Sequence, residues 1–410
     1  MFKSLRRALA AFAVLAFAAS AFAGAGELPR AKIALGDEVF LQSAWHDLHG
    51  RCVGVITNQT GVTSRLVNIV DAIKANPRIC IKAIYSPEHG LRGDRPAGSY
   101  VSSYTDSRTG LPVYSLYGKQ KHPTAKMLAG VDVLLFDIQD VGDRPYTYVS
   151  TMAYAMEAAK AYGKQIWVLD RPNPLGGEAV EGPVLDSRFK SFIGLYPIAM
   201  RHAMTVGELA SLFNTEYGIG ANLRVVRMQG WHRSMLWPET GLQWVQTSPN
   251  IPEWSTAVVY PCTGLLDNIG LNGGIGTTKP FKYAGAVGLD AYRLAAAMNA
   301  KDLPGVYFRP AYWSPFFGAL KDRQVGGVEL VVYDPRAFPS VRTALDLATA
   351  VRDIAPAFLK IDAKALDIDW GTDSLRRGLQ AGRSADAIWS SWQPAVDRFK
   401  TIRAKYLLYD

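Results

Sequence analysis

The octapeptide VDVLLFDI, residues 131–138, carries six apolar residues and no regular polar–apolar alternation. A strand wet on one face alternates; a strand covered on both faces, as in a parallel sheet, does not. Upstream, 52–57 (CVGVIT) and 80–85 (CIKAIY) have the same texture, and downstream 165–169 (QIWVL) repeats it. Between these runs the spacing is helical, over 66–75, 147–162 and 205–216. The last of these begins at Thr205 with Glu208 three residues on, the pattern of a capping box. Strand and helix signals in turn predict a parallel sheet with helices on both faces. From about residue 230 the texture changes. Trp231, Trp237, Trp244 and Trp254 lie among Pro and Gly, and a Gly-rich segment comes next over 264–288. Further helix signals (290–300, 341–354, 392–406) and strand signals (306–308, 325–332) predict a second α/β unit. The boundary is expected near 265, dividing 24–265 from 266–410.

The whole chain has 410 residues, 49% hydrophobic, 20% charged and 11% aromatic, with a net charge of +9. That balance excludes a disordered, collagen-like or coiled-coil protein. Residues 1–23 hold Lys3, Arg6 and Arg7 and no acid, then an apolar run over 8–19, then Ala21-Phe22-Ala23. This predicts a secretory signal peptide cleaved after Ala23, and a periplasmic or secreted product without a membrane anchor. Cleavage removes three of the nine net charges and leaves +6. A mildly basic exported protein suits an anionic polymer, and no run of five basic residues points to nucleic acid. Of three cysteines, Cys52 and Cys80 each open a strand signal, while Cys262 stands apart. The sequence leaves open whether the first two are bonded. No Cys or His spacing suggests a metal site, so no metal or other cofactor is expected. Oligomeric state is not readable.

Ligands of parallel sheets bind beyond the carboxyl ends of the strands. The residues there are Asn58, then Glu88, His89 and Arg92, then Asp137, Asp140, Arg144, Tyr146 and Tyr148, then Asp170, Arg171 and Glu181. Several carboxylates in one cleft can share acid and base work, as glycoside hydrolysis requires. Glu88, on a Pro-stiffened loop beside His89, is the candidate acid. Asp140 and Glu181 are candidate partners, with Arg144 near enough to hold Asp140 charged. The alternative for Asp137, Asp140 and Asp170 is capping helices or pairing with arginines. Arg92, Arg144, Arg171 and Arg201 suit a fork for a substrate carboxylate. The tryptophans suit sugar stacking, or more ordinarily a core. There is no GxSxG, P-loop, HExxH or post-strand GxGxxG pattern. Ser187 and Lys190 match SxxK, but no KTG accompanies them.

The loops YSPEHGLRG (85–93), VYSLYGKQKHPT (113–124), FDIQDVGDRPYTYVSTMAYAMEAA (136–159), VLDRPNPLGG (168–177), VEGPVLD (180–186) and PIAMRHAMTVGELA (197–210) together resemble one bacterial family. These are the exo-β-N-acetylmuramidases of the NamZ type, glycoside hydrolase family 171, long catalogued as a domain of unknown function. The resemblance implies a Rossmann-like three-layer domain, a smaller C-terminal α/β domain and an active site in the cleft between them. It implies release of N-acetylmuramic acid from the non-reducing end of peptidoglycan fragments, with Glu88 at the catalytic centre. The substrate's lactyl carboxylate would then occupy the arginine fork. Asn58, His89, Tyr117, Asp137, Tyr146, Tyr148 and Asp170 join the arginines as candidate sugar or muropeptide contacts. One segment departs from the family pattern FEGTNxSxGRGTxxPF. It reads LLDNIGLNGGIGTTKPF (265–281), with Asp267, a further candidate contact, for Glu and Ile275 for Arg. The rival readings are a sugar-binding protein without catalysis and, through Ser187, a serine acyl enzyme. A retaining, inverting or substrate-assisted mechanism stays open.

Overall fold

The computed structural model describes residues 31–410. The expected signal peptide lies outside them. The strands of the main sheet are β1 (Val53–Thr57), β2 (Ile81–Ser86), β3 (Tyr104–Thr105), β4 (Pro112–Ser115), β5 (Val133–Asp137) and β6 (Gln165–Leu169). After a ribbon of β7 (Glu181–Val184) and β8 (Ala199–Arg201), β9 (Asn222–Val226) completes it. The order is β3-β4-β2-β1-β5-β6-β9. All pairs are parallel except β3 with β4, an edge hairpin. Successive strands run outward from β1 in one direction and from β5 in the other. The crevice at the carboxyl ends of β1 and β5 is therefore the topological switch point.

The unbroken apolar character of 131–138 is explained by what covers it. Every residue of β5 is buried. Leu134 and Phe136 face the first core, with the helices Tyr148–Ala161 and Val206–Thr215. On the other side of the sheet, Val133 and Leu135 face an apolar layer with Gly36–Gln42 and Ile69–Lys74. Thr205 caps its helix as expected, accepting from the Glu208 N–H, while the Glu208 carboxylate accepts from the Thr205 N–H. Cys52 and Cys80 are bonded, just ahead of β1 and β2. The bond joins the amino ends of neighbouring strands, the edge opposite the crevice.

A second core gathers the helices Trp254–Thr263, Ala291–Asn299 and Ser340–Ile354 against an antiparallel sheet, β10 (Tyr283–Ala286), β12 (Val325–Val332) and β11 (Val306–Trp313) in that order. The two cores share Val180, Val184 and Phe281 at their border. The last helix, Ala385–Arg403, packs Trp392 in the second core and Phe399 in the first. The chain beyond it returns to the main sheet. Tyr409 donates its hydroxyl to Asp170 at the end of β6 (2.6 Å) and accepts from the Met228 N–H (2.9 Å). The tryptophan stretch is structural. Trp231 and Trp237 are buried, Trp237 meets Trp244 edge-on, and Trp254 donates to the Pro174 carbonyl.

Candidate active site

A cleft of about 530 Å³ opens at the carboxyl edge of the sheet, within the size range of small-molecule sites. Glu88 and His89 come from the loop after β2, Tyr117 and Lys121 from the loop after β4, and Tyr146 and Thr147 from the segment after β5. The rest of the lining includes Phe192 on the β7–β8 connection, Ser248, Asn250, Tyr260, Phe281 and Ile368. Phe281 sits on the border between the two cores, so the cleft lies where they meet.

Glu88 is 8% exposed and is the carboxylate of this cleft. The loop that carries it turns at once: the Gly90 N–H donates to the Pro87 carbonyl, and His89 takes a positive φ of 69°. That backbone state is unusual for a residue with a Cβ. It is held here by the ring, whose Nδ1 lies 2.8 Å from the Arg95 carbonyl. A carbonyl only accepts, so Nδ1 carries the proton and Nε2 is left as the other ring nitrogen. Glu88 Oε1 accepts from the Gly98 N–H (3.0 Å) and Oε2 from the Thr147 hydroxyl (2.7 Å). Thr147 precedes the helix Tyr148–Ala161, whose amino end favours negative charge. Burial and the Glu88 carboxylate raise the phenol pKa of Tyr117, which keeps that hydroxyl protonated.

Behind the Tyr146 wall lies a buried polar cluster. Asp140 Oδ2 accepts from the Gly142 N–H (2.7 Å), and burial pushes its carboxyl up to about 7. His202 Nε2 stands 3.9 Å from Asp140, and burial drives its pKa down to about 3, helped by Arg403 and Arg144, so the ring is neutral. Asp143 is fully buried with no hydrogen-bond partner for either oxygen, and burial lifts it to about 8 against the pull of Arg144. Tyr146, Tyr260 and Pro145 separate this cluster from the cleft space.

The structure thus brings Glu88, His89, Tyr117 and Tyr146 together in the cleft. Tyr148 stands behind, its hydroxyl donating to the Thr247 carbonyl, and Asn58 is buried, accepting from Thr60. Glu181 lies elsewhere, with Oε1 accepting from Arg201 (2.6 Å) and Oε2 from the Val341 N–H (3.0 Å). The four arginines do not assemble into a fork. Arg92 pairs with Asp106, Arg201 with Glu181, and Arg171 with both Asp37 and Asp137; Arg144 donates to the Asp369 carbonyl. Asp170 is a brace, accepting from Thr205, Tyr409 and the N–H groups of Gly207 and Arg171. Ser187 and Lys190 are exposed on the β7–β8 connection. Lys121, Thr147, Phe192, Tyr260 and Phe281 are cleft residues that sequence reasoning did not single out. Lys121, Thr147 and Phe281 lie within quoted motifs; Phe192 and Tyr260 carried no local signal.

Two family models match the sequence. One is described as exo-beta-N-acetylmuramidase NamZ, N-terminal, over residues 53–255, and the other as its C-terminal counterpart over 258–409. The chain belongs to the NamZ family. The peptidoglycan beta-N-acetylmuramidase NamZ of Bacillus subtilis is 45% identical over 92% of each chain. Two solved structures of DUF1343-family proteins from Bacteroides fragilis share the fold. One has a TM-score of 0.88 at 38% identity, covering 93% of this chain and all of its own. The other has 0.75 at 28% identity, covering 92% and 99%. Membership places the chain among glycosidases, with a fold of the expected class. Against the NamZ pattern, Asp267 and Ile275 both line a separate hollow of about 370 Å³ with Asn272 and Phe317, which shares no residue with the cleft around Glu88.

Proposed function

We propose that this chain is an exported exo-acting glycosidase that releases N-acetylmuramic acid from the non-reducing end of peptidoglycan fragments. The observation that carries this is Glu88, a carboxyl held by two donors in a cleft walled by Tyr117, Tyr146, Phe192, Tyr260 and Phe281. Aromatic faces suit the apolar faces of sugar rings, and the Bacillus subtilis relative is named for this linkage. The Cys52–Cys80 bond supports export, because disulfides persist in oxidising compartments.

One carboxylate in the cleft favours the route in which the substrate supplies its own nucleophile. The carbonyl oxygen of the 2-acetamido group attacks C1. The C1–O bond to the leaving sugar breaks, and its electron pair takes the proton of Glu88. Water then adds to C1 of the cyclic intermediate as the C1–O bond to the acetamido oxygen breaks and restores that carbonyl, and the proton of the water returns to Glu88. The Gly98 N–H and the Thr147 hydroxyl gain most as Glu88 becomes anionic, so they strengthen toward the transition state.

Mass spectrometry of MurNAc-β-1,4-GlcNAc incubated with the protein and with Glu88→Gln tests this. Free N-acetylmuramic acid from the wild type alone supports both the activity and the role of Glu88. Equal cleavage by both removes Glu88 from the chemistry. Binding of the disaccharide with cleavage by neither replaces the proposal with a sugar-binding protein.

A further inference from the structure

The arginines that a substrate carboxylate would need are all engaged elsewhere, yet the cleft has a free cation. Lys121 lines it, half-buried, on the loop that leaves β4. Its ammonium lies 4.4 Å from the centre of the Phe192 ring, and no acid among the described residues pairs with it. A lysine with a carboxylate in reach normally takes it; here the cation rests on an aromatic face, a contact that a stronger anionic partner displaces. The loop is anchored next to the catalytic candidate. The Leu116 N–H donates to the Ser86 carbonyl (2.8 Å) two residues before Glu88, and Tyr117 reaches Glu88 itself. Gly118 comes next with a positive φ of 89° and packs under the Tyr100 ring, where a Cβ would stand 2.8 Å from a ring carbon. That turn carries the chain over the cleft so that Lys121 and Tyr117 share its wall.

A substrate carboxylate entering a half-closed cleft gives up part of its hydration, which costs free energy unless a cation there offsets the charge. We propose that Lys121 binds the carboxylate of the substrate's 3-O-lactyl group and is the residue by which this cleft selects N-acetylmuramic acid over N-acetylglucosamine. This rests on the glycosidase reading above. Phe192 then holds the empty-state ammonium in place, and the ammonium leaves the ring for the carboxylate on binding.

The test compares a chromogenic β-N-acetylmuramide with its lactyl methyl ester, which keeps the shape and loses the charge. Lys121→Met is expected to lower kcat/KM for the acid about 10- to 100-fold, the range for a lost hydrogen bond to a charged group. The loss falls on KM, while kcat and the rate on the ester stay near wild type. Lys121→Arg restores most of the preference. An unchanged acid-to-ester ratio in Lys121→Met overturns the assignment. Calorimetry with N-acetylmuramic acid and N-acetylglucosamine separates this from the activity. A wild-type preference for the acid that Lys121→Met erases upholds the role of Lys121 even without turnover, in which case only the glycosidase reading falls. Equal affinity of the wild type for both sugars overturns the proposal.

Discussion

Glu88 and Asp137 stand at the same edge of the same sheet, two residues beyond β2 and at the last position of β5. Asp137 accepts from the Arg171 Nε at 2.6 Å, and the other arm of that guanidinium reaches Asp37 at 2.9 Å. All three side chains are sealed from solvent. Glu88 receives only neutral donors, a backbone N–H and a hydroxyl, and opens on a cleft. Two acids clamped by one buried guanidinium form a brace whose polar atoms are turned inward on one another, though burial raises both carboxyl pKa values. An acid held only by neutral donors on an open cleft has no counter-charge tying it down and can exchange a proton with a substrate. Position at the strand end is common to both, and the partner decides between them.

Removing each carboxylate's function should therefore give opposite signatures. Glu88→Gln is expected to lower kcat by about 10²- to 10⁴-fold, the range for a general acid, with the melting temperature within about 2 °C of wild type. Steady-state rates and a thermal scan on one preparation decide it. Arg171→Met leaves Asp37 and Asp137 buried without their cation. It should destabilise the fold by about 3–5 kcal/mol in urea titration, and wild-type stability would mean that the pair is no brace.

Replacing Cys52 and Cys80 together by Ala should cost about 3–4 kcal/mol in the chain-entropy account, for a separation of 28 residues. Turnover at temperatures where the variant stays folded should be unaffected, because the bond ties the edge opposite the cleft. A changed KM would show that the two edges communicate.

The last prediction concerns pH and the buried cluster behind Tyr146. Asp143 has its folded pKa lifted to about 8, far above the usual 3.8, so the folded state holds an extra proton between about pH 4 and 8. Stability contributed by that proton falls as pH rises through the window, by up to about 1.4 kcal/mol per pH unit for one group. Asp140 acts in the same direction up to about 7. Asp143→Asn should flatten the decline in unfolding free energy between pH 5 and 8. An unchanged slope would remove Asp143 as its source.

Much of the first core was legible because β5, β1 and β6 are short, apolar and punctuated by polar loops. Glu88 was legible for the same reason: the residues just past a strand of a parallel sheet stand at the crevice. The fates of the arginines were not. Arg171 meets Asp37 across 134 residues of sequence and Arg201 meets Glu181 across 20, and no periodicity marks such partners. A fork of four arginines counts charges without their counter-charges. Lys121 gives no sequence signal because lysines in polar loops are ordinarily solvated, and its ring partner, Phe192, is 71 positions away in a connection with no regular pattern. Asp140 and Asp143 differ by three positions, yet one is capped by the Gly142 N–H and the other has no partner. That distinction belongs to loop geometry, which composition does not encode.

The hydroxyl that Tyr409 donates to Asp170 has a consequence for the order of events in the cell. The sheet's sixth strand ends on an acid whose last donor is made 239 residues later. A chain emerging amino end first from the ribosome can complete the donor set of Asp170, and seat Phe399 in the first core, only after its last helix has been made. The first domain's core is thus closed by the end of the chain rather than by its own segment alone.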